Sequence, residues 1–239
     1  MFTLSDVRAN TEPVGNWSKW VIHPLSDRLL LEIANKTSLT PNHLTILSFL
    51  VAIGAAPFFL LGDHIHLVIG GMLYQLSFAL DAMDGTLARL KNLKSRLGAF
   101  IDPYFDTWKG ILLSFALVIG QYHKYGDVEL LFIEAWFIFI FMAQPLFYEL
   151  TQKASGDKKD AIVKGVYAAV GRMRLKEKFR GKILYPFTIV EFQTIAFFIF
   201  PLLNQVKAGL LFSSLLGTIN MLAINLLFIL SLINFEKHK

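Results

Sequence analysis

Residues 44–62 read LTILSFLVAIGAAPFFLLG, nineteen consecutive residues without a charge. A helix rises 1.5 Å per residue, so about 20 apolar residues cross the ~30 Å hydrocarbon core of a bilayer. The stretch therefore predicts a transmembrane helix, and the rest of the chain repeats the pattern. Residues 65–80 are uncharged and run into Asp81. Residues 100–120 are apolar but carry Asp102, Asp106 and Lys109. Residues 130–148 carry Glu134, residues 183–203 carry Glu191, and residues 208–235 are uncharged. The expectation is an all-α polytopic membrane protein with six transmembrane helices. It forms a single membrane domain over residues 1–239: an interfacial segment (1–43), then a six-helix core (44–235) with a basic loop at 150–183.

Composition points the same way. Of 239 residues, 54% are hydrophobic and only 17% charged, against about 25% charged in a soluble domain. The mean hydropathy is +0.51. These values disfavour a soluble globule and rule out a disordered chain. With no cysteine, disulfides and thiolate metal sites are excluded. The first 43 residues lack the charged, then apolar, then small-residue order of a signal peptide. No internal repeat is visible, so an inverted-repeat transporter gains no support.

The location of the charge says more than its total of +5. Residues 150–183 hold ten Lys/Arg against three acids, so this one segment carries the whole basic excess. A basic loop between hydrophobic runs faces the cytoplasm and anionic lipid rather than nucleic acid. Lys and Arg also gather at residues 90–97 and at both ends, which predicts cytoplasmic termini, in agreement with an even number of spans. Residues 17–35 mix Trp17, Trp20, Leu29 and Leu30 with Lys19, Arg28 and Glu32, the pattern of an amphipathic helix in the headgroup region. Residues 160–176 form a second amphipathic stretch. They either rest on lipid or bind a phosphate through residues such as Arg172 and Arg174.

The chemistry-bearing feature is four aspartates around one connection: Asp81, Asp84, Asp102 and Asp106. Carboxylates in a membrane helix cost about 2.5–3.5 kcal/mol each near its centre, so four close together require a counter-charge. At 100° per residue, Asp81, Asp84, Gly85, Ala88 and Arg89 share an arc of about 140°, and Gly98, Asp102, Asp106 and Lys109 share one of about 80°. A short turn lets the two acidic faces meet. Oxygen-only ligands suit hard cations: Mg²⁺, Mn²⁺ or Ca²⁺. Four carboxylates can hold two such ions about 3.5–4 Å apart, an arrangement that serves phosphoryl transfer. Gly85 and Ala88 leave room for a flat ring, or simply for close helix packing.

The string Asp81-Ala-Met-Asp84-Gly85-Thr-Leu-Ala88-Arg89, eight residues, then Gly98-Ala-Phe-Ile-Asp102-Pro-Tyr-Phe-Asp106 resembles the signature of the CDP-alcohol phosphotransferase family, D-x2-D-G-x2-A-R-x8-G-x3-D-x3-D. All eight fixed positions match. Pro41-Asn42-His43-Leu44-Thr45 also looks like a Pro-Asn-x-x-Thr string seen before the first span in many members. The resemblance implies an enzyme of phospholipid biosynthesis that moves a substituted phosphate from a CDP-alcohol donor to an acceptor alcohol, releasing CMP. It implies two Mg²⁺ or Mn²⁺ ions on Asp81, Asp84, Asp102 and Asp106, with Asp106 also the general base. Asp81, Asp84, Gly85, Ala88, Arg89 and Gly98 would form the donor nucleotide site. It further implies a homodimer, a membrane-lipid reactant, no nucleic-acid partner and an active site open to the cytoplasm.

Thr107 departs from subfamilies that place Lys or Arg directly after the fourth aspartate. Lys109 either supplies that cation to the donor phosphates or neutralises an aspartate. Glu191 starts on the cytoplasmic side and could line the same cavity as a phosphate or acceptor contact, together with Lys109, Arg172 and Arg174. Glu134 starts on the opposite side and reads as packed or interfacial. One branch of the family uses CDP-diacylglycerol with a soluble alcohol. Another uses a soluble CDP-choline, CDP-ethanolamine or CDP-inositol donor. The motif is common to both. A cation transporter with an acidic site is one alternative, and it leaves the Gly-Ala-Arg spacing unexplained; a structural membrane protein with a dead motif is another, and the presence of all four aspartates speaks against it.

Overall fold

The computed structural model describes residues 1–155 and 189–237, and every regular element among them is helical. A short helix α1 (Leu4–Ala9) starts with a reciprocal cap: Thr3 Oγ1 accepts from the Asp6 amide and the Asp6 carboxylate accepts from the Thr3 amide. A single turn α2 (Gly15–Trp17) continues through a π-helical stretch (Ser18–Ile22) into α3 (His23–Lys36). The inner side of this segment buries Ile22, Leu30 and Ala34, while Trp20, Val21, Leu25 and Leu29 are exposed. The apolar residues of the N-terminal segment are thus divided between a packed side and an open side.

Two long helices follow, α4 (Pro41–Leu61) and α5 (His64–Leu90). Pro41 suits the first turn of α4 because no amide is needed there. Helix α5 runs ten residues past the uncharged stretch 65–80 and carries Asp81 and Asp84 within it. It continues because Leu80, Met83, Leu87 and Leu90 keep an apolar stripe at helical spacing, packed on Val7, Leu30, Ala34 and Leu44. The turn after it places Asn92 in the left-handed region (φ 55°). Ser95 then caps α6 (Arg96–Tyr125), its Oγ accepting from the Gly98 amide at 2.9 Å. The two acidic helices are therefore joined by a short, capped connection.

Helix α7 (Glu129–Ser155) follows. After residues 156–188, α8 (Ile189–Thr194), a π-helical stretch (Ile195–Ile199) and α9 (Phe200–Leu202) lead to α10 (Val206–Lys237). Among the described residues four helices are long and apolar enough to cross a membrane: Pro41–Leu61, His64–Leu90, Glu129–Thr151 and Val206–Leu230. Helix α6 has 30 residues, about 45 Å at 1.5 Å per residue, but Asp102, Asp106 and Lys109 keep its composition polar. The other expected stretch is described only over Ile189–Leu202. Arg172, Arg174 and the amphipathic stretch 160–176 lie outside the described residues.

Two main apolar clusters hold the described helices together. The larger joins Phe59, Leu67, Leu117, Phe137, Phe197 and Leu210 from six different segments. The smaller binds α1 and α3 to α4 and α5. Between them runs a polar layer. Ser77 Oγ donates to the Ser48 carbonyl at 2.9 Å, and Lys109 Nζ donates to Ser48 Oγ at 3.0 Å, linking α4, α5 and α6. At the other end, α4 and α6 touch through backbone at Gly120. A Cβ there would overlap the Phe59 carbonyl oxygen and lie 2.8 Å from that of Leu60. Gly120→Ala is expected to cost about 1–3 kcal/mol, read as a lower melting temperature in detergent. Gly54→Ala, where a Cβ meets nothing within 4 Å, is expected to be neutral or stabilising.

Candidate active site

The capped turn between α5 and α6 turns their acidic faces toward each other. One carboxylate oxygen from each of Asp81, Asp102 and Asp106 can be chosen so that all three lie within 4.8 Å of one another. Lys109, one turn beyond Asp106, reaches into the group. Its Nζ lies 2.6 Å from Asp81 Oδ1 and 2.6 Å from Asp106 Oδ1. Of the two roles left open for Lys109, neutralising aspartates is the one its contacts describe. Asp84 faces differently: it is buried and accepts from Thr45 Oγ1 at 2.5 Å. That hydroxyl belongs to the Pro41–Thr45 string. Asp102 makes no hydrogen bond to the described residues.

These residues fit a divalent cation. The donor set is all oxygen, which suits Mg²⁺ or Mn²⁺. One ammonium against three neighbouring carboxylates leaves formal negative charge uncompensated. Asp102, within reach of both Asp81 and Asp106, has its oxygens available for a further ligand.

The aspartates line a cavity of about 410 Å³ together with Gly85, Arg89 and Lys109. A Cβ at Gly85 would meet only the Arg89 guanidinium, at 3.5 Å, so the glycine leaves this wall low. Arg89 Nε donates to the Asn10 carbonyl at 2.6 Å, and its Nη1 lies 3.3 Å from Glu12 Oε2. Arg89 thus pairs with the N-terminal segment. Gly98 sits by the start of α4, where a Cβ would lie 3.1 Å from Asn42 Oδ1. Ala88 and Gly98 are not in the lining.

Glu191 is buried, and its Oε1 accepts from the Asn16 and Trp17 amides at 2.5 and 3.2 Å. Trp17 Nε1 donates to Gln75 Oε1 at 3.0 Å. With the Arg89 contacts, these bonds hold residues 10–17 across the cavity. Glu12, Val14, Ser18 and His23 consequently join its wall, and the sequence reading had missed them. The one local sign was His23 and Asp27 at i,i+4 spacing. Glu134 is buried and lies outside the cavity lining.

The CDP-alcohol phosphatidyltransferase family matches residues 38–230. A bifunctional IPC transferase and DIPP synthase of Thermococcus kodakarensis is 41% identical over 69 residues, covering 29% of this chain and 15% of that protein. The archaetidylinositol phosphate synthase of Pyrococcus horikoshii is 30% identical over 100 residues, 42% of this chain and 52% of that one. The chain thus spans about half or less of the length of these relatives. The crystal structure of Mycobacterium tuberculosis phosphatidylinositol phosphate synthase with CDP-DAG bound has the same fold, with a TM-score of 0.50 at 16% identity. It covers 87% of this chain and 93% of its own. Four apolar spans make the protein an integral membrane one. With the match extending over most of the sequence and across every aspartate of the cavity, the chain belongs to the CDP-alcohol phosphatidyltransferase family.

Proposed function

We propose that the protein transfers a substituted phosphate from a CDP-alcohol donor to an acceptor alcohol in phospholipid synthesis. The observation that carries this reading is the convergence of Asp81, Asp102 and Asp106 at the wall of a 410 Å³ cavity. The acceptor hydroxyl oxygen bonds to the phosphorus distal to the cytidine, the bond from that phosphorus to CMP breaks, and the hydroxyl proton passes to the Asp106 carboxylate. Asp81, Asp84, Asp102 and Asp106 would hold two Mg²⁺ or Mn²⁺ ions. Such ions supply positive charge to the diphosphate and its leaving oxygen. Lys109 keeps Asp81 and Asp106 oriented. Gly85 leaves room for the cytidine beside Arg89, and Gly98 lets α6 begin close to α4.

Two of the relatives' names favour an inositol-phosphate acceptor and a lipid-linked CDP donor. The basic stretch with Arg172 and Arg174 would then meet the acceptor's phosphate, and Glu191 would hold the wall rather than bind substrate. In this reading the whole chain is one membrane domain of six spans, working as a homodimer, with α3 lying in the headgroup region. Asp81 follows His64 by about 26 Å of helix, which puts the aspartates near the far face of the bilayer. The positive-inside rule makes that face, and both termini, cytoplasmic.

The test is CMP release by the purified protein with CDP-diacylglycerol, CDP-choline or CDP-inositol as donor, against inositol phosphate, glycerol phosphate and serine. Release is expected with the lipid donor and inositol phosphate, to vanish in EDTA, and to return with Mn²⁺ or Mg²⁺. Release from the soluble donors alone would move the protein to the other branch. Metal-dependent ion flux without CMP release would favour a cation transporter.

A further inference from the structure

The cavity has two ends. At one, Asp81, Asp102, Asp106 and Lys109 gather. At the other, Glu12 and His23 stand with Arg89. The Arg89 guanidinium folds back toward Gly85, where a Cβ would lie 3.5 Å from it, so it stands about one helical turn, roughly 6 Å, beyond Asp81 along α5. Asp84 and Gly85 lie between them, and the missing side chain of Gly85 keeps the path open as far as the Arg89 guanidinium. A donor whose diphosphate is at the acidic end therefore has its nucleoside at the end walled by the N-terminal segment.

His23 belongs to that wall. Its ring is buried, lines the cavity, and places Nδ1 3.2 Å from Asp27 Oδ1, one helical turn on. Asp27 is buried too, and the Thr11 hydroxyl lies 3.3 Å from the same oxygen. A carboxylate only accepts, so Nδ1 carries a proton and the imidazole is fixed in position. Burial holds this histidine below its ordinary pKa and outweighs the pull of Asp27, and the Arg89 charge adds to the lowering. The neutral ring then offers Nε2 as a hydrogen-bond acceptor. Asp27 is its one hydrogen-bond partner among the described residues, and the transfer chemistry at the aspartates does not call on it.

We infer that His23, oriented by Asp27, is a specificity residue for the nucleoside half of the donor, where its Nε2 accepts a hydrogen bond from the ribose 2′-hydroxyl or the exocyclic amine of the base. The inference rests on the reading of the cavity as a CDP-alcohol site. The histidine lies outside the eight-residue signature and upstream of residues 38–230, the stretch matched by the family.

Calorimetric binding of CDP, 2′-deoxy-CDP and UDP to the full chain in detergent with Mn²⁺ tests it. His23→Ala is expected to weaken CDP binding roughly tenfold, the size of one lost hydrogen bond. One analogue should be unaffected by the substitution: 2′-deoxy-CDP if the partner is the hydroxyl, UDP if it is the amine. His23→Gln, whose amide reaches the region of Nε2, is expected to recover most of the loss, which separates a lost contact from a damaged fold. Unchanged CDP binding in His23→Ala, or an equal loss for all three nucleotides, overturns the inference alone. Wild-type protein that binds none of the three overturns the nucleotide reading of the cavity, and this inference with it.

Discussion

Asp106→Asn is expected to lower CMP release by about 10²–10⁴-fold, the contribution of a positioned general base, while donor binding stays close to wild type. The substitution keeps the size of the side chain and one oxygen that can still accept from Lys109 Nζ, now 2.6 Å from the carboxylate. What it removes is the capacity to take a proton. Because Asp106 also belongs to the acidic cluster, the comparison is made at saturating Mn²⁺, with kcat from CMP release and donor affinity from calorimetry. A purified Asp106→Asn enzyme with full turnover would falsify the assignment of the base. A loss confined to KM would place Asp106 in binding alone.

Lys109→Met is expected to have the largest effect on stability. The ammonium is buried and touches Asp81, Asp106 and Ser48 at 2.6, 2.6 and 3.0 Å. Removing one partner of a buried ion pair leaves the other uncompensated and costs about 3–5 kcal/mol. Methionine keeps most of the aliphatic stem, so the loss reports the charge rather than the volume. The fall in melting temperature should be greatest in EDTA and partly reversed by Mn²⁺, because a divalent ion that binds only the folded state stabilises it in proportion to its saturation. Equal melting of the variant with and without Mn²⁺ would show that lysine and metal do not serve the same carboxylates.

The acidic centre was legible because it depends on local periodicity. Asp81, Gly85 and Arg89 recur at i,i+4 along α5, as do Gly98, Asp102 and Asp106 along α6. Angular arithmetic put Lys109 near Asp102, and the structure places its ammonium between Asp81 and Asp106. The direction of Asp84 was not legible, since it is set by Thr45 on another helix, 39 positions away. The N-terminal wall was less accessible still. Glu191 holds the Asn16 amide across 175 positions, and no period or spacing in the chain announces such a contact. Glu191 read as a cavity residue because of its depth, whereas its carboxylate serves two backbone amides. The reach of α5 past Leu80 was legible through the same helical arc but not through hydropathy, which falls at Asp81 while the apolar stripe through Met83, Leu87 and Leu90 continues on one face only.

The wall built by residues 12–23 comes from a different part of the chain than the aspartates it faces. The family match begins at residue 38, whereas Glu12, Val14, Ser18 and His23 line the cavity from upstream of it. In the proposed reading, the carboxylates of the reaction and part of the surface that would select the donor thus lie in separate stretches of the chain. A chimera carrying another relative's upstream stretch on this core would keep its reaction and change its preferences. Donor preference would then be exchangeable as one short terminal cassette, with the acidic centre left intact.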